Sequence, residues 1–426
     1  MSYGHSHSAW AGMIAPLPLL WSITHTQHPT MMGLLTGLCE ASVLLGMLHV
    51  GLLPTLWLAL AWALCRGLAV ALSDVLSQGN RVLMLWFLLP SWIVCEWLHA
   101  SFPWGLPAIF GATQDSGPWL SFARWGGAYL VSAVLLVLWI PLFDRRRIWI
   151  WPVLTTCVLT IPAVPQEHNK ITIAIVQGNA HVEHNVDLVV WPEGAAPESI
   201  HNASAILAGT RRQEARDIVY NSAMLIADDE IYFADKERLA LPLEAWLTPG
   251  KYTGPLPWVH GTIGTVMCLE STVPFYARRL TQDGAQFIVV MADGSRFKTS
   301  RIAKAHAKMS VMRAVETGRD VIHAGKHGSS HIAHADGSHT PMLPLYQASV
   351  LTGSVTLRQS QTPYVRFGNW PVVLSWCILT IVLVQRVAVC TMRWWRRDKH
   401  LSQIPKDHAS FANPKHPRSP RAFQTP

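Results

Sequence analysis

Three side chains that could carry out nucleophilic catalysis follow three apolar runs in the middle of the chain. Glu193 ends DLVVWPE, Lys236 ends EIYFADK, and Cys268 follows TIGTVM. A cysteine thiol attacks a carbonyl carbon when a carboxylate takes its proton, and an ammonium group stabilises the oxyanion that forms. Glu244 lies eight residues after the lysine, and Glu270 lies two residues after the cysteine. The pattern predicts a base, a cation and a nucleophile at three strand ends.

Cysteine usage singles out Cys268. The other cysteines lie in long apolar segments or directly after one, and no CxxC spacing occurs, so neither structural zinc nor a disulfide framework is expected. Two interpretations of Cys268 are open at this point. It is either a small buried apolar residue, or a thiolate favoured by the start of the helix that Pro274 begins.

The elements that must hold these side chains alternate along the middle of the chain. Runs rich in β-branched residues predict strands, and polar stretches with a helical period predict helices. The alternation is typical of a layered α/β domain, in which the carboxyl ends of strands carry the reactive residues. The predicted strands are 171–179, 187–193, 204–210, 220–228, 230–236, 262–270 and 287–293, the predicted helices are 273–284 and 300–318, and a hairpin is predicted at 334–339.

Long apolar segments flank this domain. Several reach the roughly 20 residues that cross a bilayer, which predicts a polytopic membrane protein. We expect a helical membrane domain at 1–165 with about six transmembrane helices, the α/β domain at 166–365, and a last transmembrane helix at 366–392. The apolar segments are 9–24, 31–49, 51–73, 82–99, 126–143, 148–164 and 371–389.

The net charge of +8 indicates topology rather than a nucleic-acid partner. One basic cluster, 145–147, separates the fifth and sixth apolar segments, and a second follows the last segment. Because basic loops stay on the cytoplasmic side, residues 165–370 are expected outside that face. The tail 393–426 is then cytoplasmic, and its polar, proline-rich composition predicts disorder. The second cluster is Arg386, Arg393, Arg396, Arg397 and Lys399.

Three charged residues lie inside the apolar segments of the expected membrane domain, 1–165, namely Glu40, Arg66 and Glu96. A charged side chain is costly in lipid unless it pairs with another or faces a polar cavity. We expect these three to pair with one another, or to line a substrate cavity.

The joint pattern resembles the nitrilase, or carbon–nitrogen hydrolase, superfamily, and with its membrane segments it resembles the apolipoprotein N-acyltransferases. The resemblance covers most of residues 10–390. It implies that Glu193 is the general base, Lys236 the catalytic lysine and Cys268 the nucleophile. Glu244 and Glu270 match supporting acidic positions. The matching motifs are SWIVCEWLHASFPWGLP, ARWGGAYLVSAVLL, VQGN, VVWPE, VYNSAMLI, DKERLALPLE, TVMCLE, MRAVETGR and TPYVRFGNWP.

The resemblance also implies a fold, a reaction and a location. The fold is an α-β-β-α sandwich on the periplasmic side of a bacterial inner membrane. The reaction takes a fatty acyl group from a phospholipid as a cysteine thioester and passes it to an amino group of a lipoprotein or other protein. No cofactor, metal or nucleic acid is expected, and an Asp-Gly turn divides the one histidine cluster, which is His327, His331, His334 and His339.

Two stretches are shorter than the resemblance implies. Only AHVEHNV separates VQGN from DLVVWPE, which is too short for a crossover helix, and a second shortening follows WPEGAAPESI. We therefore expect a shortened nitrilase-like domain. Conjugal transfer proteins of the TraB type are shortened in a similar way, so an envelope protein of a conjugation apparatus with unproven or lost activity is one alternative. A membrane-anchored amidase is another.

Overall fold

The computed structural model describes most of the chain. The described residues are 13–45, 52–101, 109–160, 164, 167, 169–182, 185–195, 203–241, 243–295 and 300–402. Met1–Leu379 form one compact unit and Thr380–Pro426 form a second. Residues 403–426, which make up most of the predicted tail, lie outside the described residues.

Apolar helices make up the first part of the chain. Among the described residues, four windows are long and apolar enough to cross a membrane: Leu60–Ser77, Arg81–Ser101, Pro118–Phe143 and Trp370–Arg396. The expected seven spans stay a prediction. The helices are α1 (Pro16–His25), α2 (Pro29–Leu45), α3 (Leu52–Ser77), α4 (Arg81–Ser101), α5 (Ala123–Val137), α6 (Ile140–Phe143) and α7 (Ile150–Thr160).

The pairing expected of the charged residues in these helices is confirmed. Nε of Arg66 on α3 lies 2.9 Å from Glu40 Oε2, and Nη2 lies 3.7 Å from Glu96 Oε1. The guanidinium stacks 3.7 Å from the ring centroid of Trp92, whose indole N–H donates to Glu96. A second indole, that of Trp62, donates to Glu40. These contacts offset the free-energy cost of burying charged side chains among apolar helices.

Two sheets follow, in the order β11-β1-β2-β3-β4-β5 and β10-β9-β8-β7-β6. The pairs β1–β2, β2–β3, β7–β8 and β8–β9 are parallel, and the other pairs are antiparallel. The strands are β1 (Lys170–Gln177), β2 (Val186–Trp191), β3 (Ala203–Ala215), β4 (Ile218–Ala227), β5 (Glu230–Asp235), β6 (Leu256–Trp258), β7 (Gly261–Met267), β8 (Phe287–Ala292), β9 (Val321–Gly325), β10 (His331–Ala333) and β11 (Ser349–Thr356).

The sheets pack face to face, because alternate side chains of their strands are apolar on the shared side. Ile175 and Val190 of the first sheet and Val289 of the second belong to one fully buried cluster. The outer side of the second sheet packs against helices α8 (Pro274–Gln282) and α9 (Ser300–Thr317). Two further helices follow the sheets, α10 (Pro363–Phe367) and α11 (Trp370–Ser402), so helix continues into residues 393–402. The fold is the expected membrane-helical part plus an α/β sandwich.

The connection between β1 and β2 explains how the domain is shortened. The two strands are parallel neighbours, yet only residues 178–185 join them. Of these, the described residues 178–182 and 185 form no helix. Eight extended residues reach about 27 Å, which is enough to return the chain along a six-residue strand of about 20 Å. The second shortening, at 196–202, lies outside the described residues.

Helix α5 joins the apolar helices to the sandwich. Its side chains share one buried cluster with α8, α9 and the outer face of the second sheet. The backbone N–H of Ala128 on α5 donates to the buried Glu316 of α9 at 2.7 Å, and Arg313 pairs with the same carboxylate. The sandwich is therefore held against the helical part by apolar packing and by a buried polar contact.

Candidate active site

Glu193 lies just beyond the carboxyl end of β2, where the chain passes close to β3. The N–H of Ala195 donates to the carbonyl of Gly209 at 3.1 Å. A Cβ at Gly209 would lie 2.6 Å from the Cα of Glu193, so only glycine permits this approach. The strand end therefore holds the Glu193 backbone firmly, and its side chain is buried.

Lys236 follows β5 directly and is almost completely buried. Its Nζ lies 2.8 Å from Glu244 Oε2 and 3.8 Å from Glu193 Oε1. Burial lowers the pKa of the ammonium, but the neighbouring Cys268, Glu193 and Glu244 outweigh burial and leave the pKa raised. Lys236 is therefore a permanent cation between two carboxylates.

Glu244 and Asn221 complete the surroundings of the lysine. The Asn221 amide donates to both Glu193 and Glu244, and the N–H of Ala240 donates to Glu244 Oε2 at 2.6 Å. Burial raises the pKa of Glu244, yet the Lys236 ammonium and these donors outweigh burial, so the pKa is lowered. Glu244 is thus ionised and holds the lysine in place.

Cys268 directly follows β7 and begins a short 3₁₀ turn, Cys268–Thr272. Its φ of 47° lies in the left-handed region, which is unfavourable for a residue with a side chain. The N–H of Asp293, directly after β8, donates to Glu193 Oε2 at 3.1 Å, and it lies beside the thiol, where it acts to lower the pKa of Cys268. One N–H therefore contacts both the cysteine and the glutamate.

The thiol is not a resting thiolate. Burial and the Glu193 carboxylate raise the pKa of Cys268 to about 12, and the opposing effect of Lys236 is smaller. Of the influences on the pKa of this thiol, burial and the adjacent carboxylate outweigh those that favour the thiolate. A resting thiol needs a base before it can attack.

Glu270 connects the lysine and cysteine strand ends. Its Oε1 accepts the N–H of Glu237 at 2.7 Å and that of Arg238 at 3.0 Å, and its Oε2 accepts the N–H of Met267 at 2.9 Å. Burial raises the pKa of Glu270 to about 7, although these N–H donors favour the charged form. The carboxylate thus supports the backbone beside both Lys236 and Cys268.

The five residues singled out from the sequence come together at one edge of the sandwich. Glu193, Lys236 and Glu244 are in direct contact, the thiol of Cys268 shares a donor with Glu193, and Glu270 lies behind the group. Two partners were missed. Asn221 could have been noticed as a polar residue in the apolar run YNSAMLI. Asp293 takes part through its backbone N–H, which side-chain chemistry cannot indicate.

The histidines of the predicted cluster are spread apart. Nδ1 of His327 lies 3.4 Å from Asp293, and that of His334 lies 3.1 Å from Asp320. His331 and His339 contact each other at a ring-centroid distance of 5.8 Å. Among the residues that the structure describes, no three histidine, cysteine, aspartate or glutamate side chains are grouped so that they could hold a metal ion.

Comparisons with known proteins agree with this architecture. The profile of the carbon–nitrogen hydrolase family matches residues 163–362. An apolipoprotein N-acyltransferase of Geobacter metallireducens is 24% identical, over 91% of this chain and 92% of that protein. The enzyme of the same name from Vibrio vulnificus is 23% identical, over 72% of this chain and 74% of its own length.

Solved structures of the nitrilase superfamily are also similar. Saccharomyces cerevisiae Nit3 is 14% identical and matches 46% of this chain and 93% of its own, with a TM-score of 0.38. A carbon–nitrogen hydrolase superfamily protein of Xanthomonas campestris is 16% identical and matches 44% of this chain and 91% of its own, with a TM-score of 0.37. The two apolipoprotein N-acyltransferases give no support to the conjugal transfer alternative. Residues 163–362 are a carbon–nitrogen hydrolase domain, in a chain that is similar to apolipoprotein N-acyltransferases over most of its length.

Proposed function

We propose that the protein is a membrane-bound N-acyltransferase that carries a fatty acyl group on Cys268. One observation carries the proposal: a buried carboxylate, a buried ammonium and a protonated thiol lie at three adjoining strand ends, with Lys236 Nζ 3.8 Å from Glu193 Oε1. The relatives named apolipoprotein N-acyltransferase support this reaction over others of the family. They also suggest a phospholipid as the acyl donor and a lipoprotein as the acceptor.

In the first half of the reaction the thiol is acylated. Glu193 takes the thiol proton as the sulfur of Cys268 attacks the ester carbonyl carbon of the donor. The Lys236 ammonium and the backbone N–H after the cysteine stabilise the oxyanion. When the carbon–oxygen bond breaks, Glu193 returns its proton to the departing alcohol, which is the lysophospholipid. The product is a thioester, and Glu193 is again ionised.

In the second half the acyl group leaves for an amine. The unprotonated α-amino group of the acceptor attacks the thioester carbon, and Lys236 again stabilises the oxyanion. Glu193 takes the proton from the attacking nitrogen and passes it to the departing sulfur. The amide is formed and the resting thiol returns. One acid–base residue serves both halves, because each half removes one proton from a nucleophile and gives it to a leaving group.

The surroundings of the lysine suit a lipid donor. A cavity of about 390 Å³ lies on the segment that follows Lys236, and leucines at 239, 241 and 247 are among its lining residues. Nη1 of Arg238 on this segment donates to the carbonyl of Ala100 at the end of α4, which is long and apolar enough to span a membrane. We propose that an acyl chain leaving the bilayer beside α4 enters this cavity, whose lining begins at Glu237, the residue after Lys236.

The same proposal covers the location of the protein. A lipid donor requires the α/β domain, 166–365, to lie at a membrane surface. We propose the bacterial inner membrane, with 1–165 as the membrane domain, 366–392 as the last span, this domain in the periplasm and 393–426 in the cytoplasm. A reporter that is active only in the cytoplasm should be active when it is fused after Arg147 and when it is fused after His400. A periplasmic signal from either fusion would contradict this topology.

Acylation of Cys268 tests the reaction. The full chain in mixed micelles with phospholipid should gain the mass of one fatty acyl group, and neutral hydroxylamine should remove it, because the link is a thioester. Cys268→Ser should lose the hydroxylamine-sensitive mass. Cys157→Ser is the matched control, since Cys157 is exposed on α7 and distant in sequence from the strand ends.

Two outcomes would contradict the proposal. Folded protein that gains no acyl mass from any phospholipid would remove the donor half of the reaction. Release of ammonia from small amides without lipid would instead indicate the amidase alternative. Transfer to the α-amino group of a diacylglyceryl cysteine peptide, followed by mass spectrometry, tests the acceptor half separately.

A further inference from the structure

The backbone of Cys268 needs support from outside its own strand. The residue is held at φ 47°, a region that a non-glycine residue adopts only at a cost in free energy. The turn at Cys268 ends β7 and begins the 3₁₀ segment. It therefore determines the direction of the thiol and of the N–H that follows it. Contacts that fix the conformation of this turn therefore also fix the position of the thiol.

Two side chains hold the carbonyl of Cys268. The hydroxyl of Ser271 donates to it at 2.8 Å, and Nε2 of His306 lies 2.9 Å from the same oxygen. Ser271 Oγ and His306 Nε2 are themselves 2.7 Å apart, so the three groups form a closed triangle. Ser271 belongs to the same short turn, whereas His306 belongs to α9, which packs against the second sheet. The histidine therefore ties the turn to a separate element.

The His306 ring is fixed and neutral. A carbonyl oxygen only accepts, so Nε2 must carry the ring proton that it donates. Burial lowers the pKa of His306, although its bond to the Cys268 carbonyl opposes this. Behind it, the ring of His323 makes an edge contact at a centroid distance of 5.3 Å, and Ser310 hydrogen bonds to Nδ1 of His323. The ring thus has little freedom to turn away.

We infer that His306 is a positioning residue for the nucleophile. Its Nε2–H holds the Cys268 carbonyl, keeps the turn left-handed, and so keeps the thiol beside the N–H of Asp293 that also contacts Glu193. His306 does not touch the reacting atoms. The inference rests on the proposed function for its role in acyl transfer, but the positioning of the thiol can be measured without any acyl donor.

Two substitutions separate positioning from packing. His306→Leu keeps an apolar side chain of similar size but removes the donor, and His306→Gln keeps an N–H donor at similar reach. We expect His306→Leu to slow formation of the acyl-enzyme in a single turnover by about ten- to a hundredfold, since small displacements of a nucleophile have effects of this size. His306→Gln should recover most of the rate. The KM for phospholipid should stay within about threefold, because binding is not altered.

The matched control is His331→Leu, the same change at another buried histidine that does not contact the cysteine turn. It should lower the thermal midpoint about as much as His306→Leu, with the acylation rate of folded protein unchanged. Equal acylation rates for His306→Leu and wild type would overturn the inference. So would a rate in His306→Gln as low as in His306→Leu, because the restored donor would then have no effect.

Alkylation of the full chain by iodoacetamide provides a readout that needs no acyl transfer. Mass spectrometry of the Cys268 peptide should show alkylation at least about tenfold slower in His306→Leu, and close to wild type in His306→Gln. Once the proteins are unfolded in guanidinium chloride, Cys268 should be alkylated at the same rate in all three. If wild type forms no acyl-enzyme, the proposed function fails while the alkylation rates still decide the positioning. If the alkylation rate of Cys268 in His306→Leu equals or exceeds that of wild type, the inference that His306 positions the thiol is overturned.

Discussion

Two buried clusters in this protein have the same charges but different surroundings. At the strand ends, Lys236 lies between Glu193 and Glu244; in the helical part, Arg66 lies between Glu40 and Glu96. Each consists of two carboxylates and one cation. The helical cluster is enclosed by two indole N–H donors and by an aromatic ring under the guanidinium. Cysteines adjoin both clusters, because Cys65 and Cys95 are the chain neighbours of Arg66 and Glu96. At the strand ends, however, the cysteine has a left-handed backbone.

The difference shows that a buried ion cluster is not by itself a reaction centre. The carboxylate of Glu193 shares the Asp293 N–H with a thiol whose backbone is held in an unfavourable conformation. Strain of this kind persists where the surrounding structure maintains it, often at functional sites. Around Arg66 the same charges compensate one another. We therefore expect changes in the first cluster to alter reactivity, and changes in the second to alter stability.

The largest expected effect is that of Glu193→Gln. Removal of the general base should slow acylation of Cys268 by about 10³-fold or more. The thermal midpoint should change little, because Lys236 keeps its contact with Glu244 and Asn221 can still donate to the side-chain oxygen of glutamine. Single-turnover mass spectrometry measures the acylation rate, and thermal unfolding in detergent measures the thermal midpoint. If Glu193→Gln instead lost much stability but acylated normally, both clusters would serve only stability, and the proposed difference between them would be wrong.

Arg66→Met should have the opposite result. It leaves the buried Glu96 and the one-third exposed Glu40 without their cation, and removal of one partner of a buried pair such as Arg66–Glu96 costs about 3–5 kcal/mol. Acylation of the protein that remains folded should stay near wild type. Arg81→Met is the matched control, since Arg81 and its partner Asp74 are both about one-third exposed and such pairs contribute at most about 1 kcal/mol. Equal thermal midpoints for the two variants would show that burial does not matter here.

Much of the strand-end cluster was predictable because apolar runs determine where strands end. The runs that contain ITIAIV, LVVW and FIVVM form β1, β2 and β8, and the polar residues after the strands meet at one edge. Strands without a continuous apolar run were missed. β9 begins three residues after Gly318 ends a helix, β11 contains serine, threonine and glycine, and β6 has three residues. The contacts of His306 and Asp293 depend on packing between elements, which no local pattern encodes.

The pH dependence of stability sharpens the comparison at Glu270. Its pKa is about 7 in the folded protein against an ordinary 4.5, so the folded state binds more protons than the unfolded state between these values. The contribution of Glu270 to stability should therefore fall as pH rises from about 4.5 to about 7, by at most about 3 kcal/mol, and should change no further above that range. Glu270→Gln should lack this part of the decline. The difference in unfolding free energy between wild type and variant, measured across this range, should be flat if the prediction is wrong.

A smaller loss of acylation rate than that of Glu193→Gln is expected for Glu244→Gln. Without the Glu244 carboxylate, the Lys236 ammonium is left with Glu193, 3.8 Å away, as its nearest counter-ion. A closer ion pair with Lys236 would make Glu193 a weaker base and would move the cation away from the oxyanion. Acylation should slow by about ten- to a hundredfold, less than when the base itself is removed.

Glu237→Gln provides the control for this change, because its carboxylate lies on the same segment but pairs with Arg279 instead of the lysine. That variant should acylate Cys268 at the wild-type rate. If Glu244→Gln also acylates normally, Asn221 and Glu193 are sufficient to hold Lys236, and the second carboxylate resembles those around Arg66, which only balance charge. If it is slowed as much as Glu193→Gln, the lysine and the glutamate act as a single unit, and the base cannot be assigned to Glu193 alone.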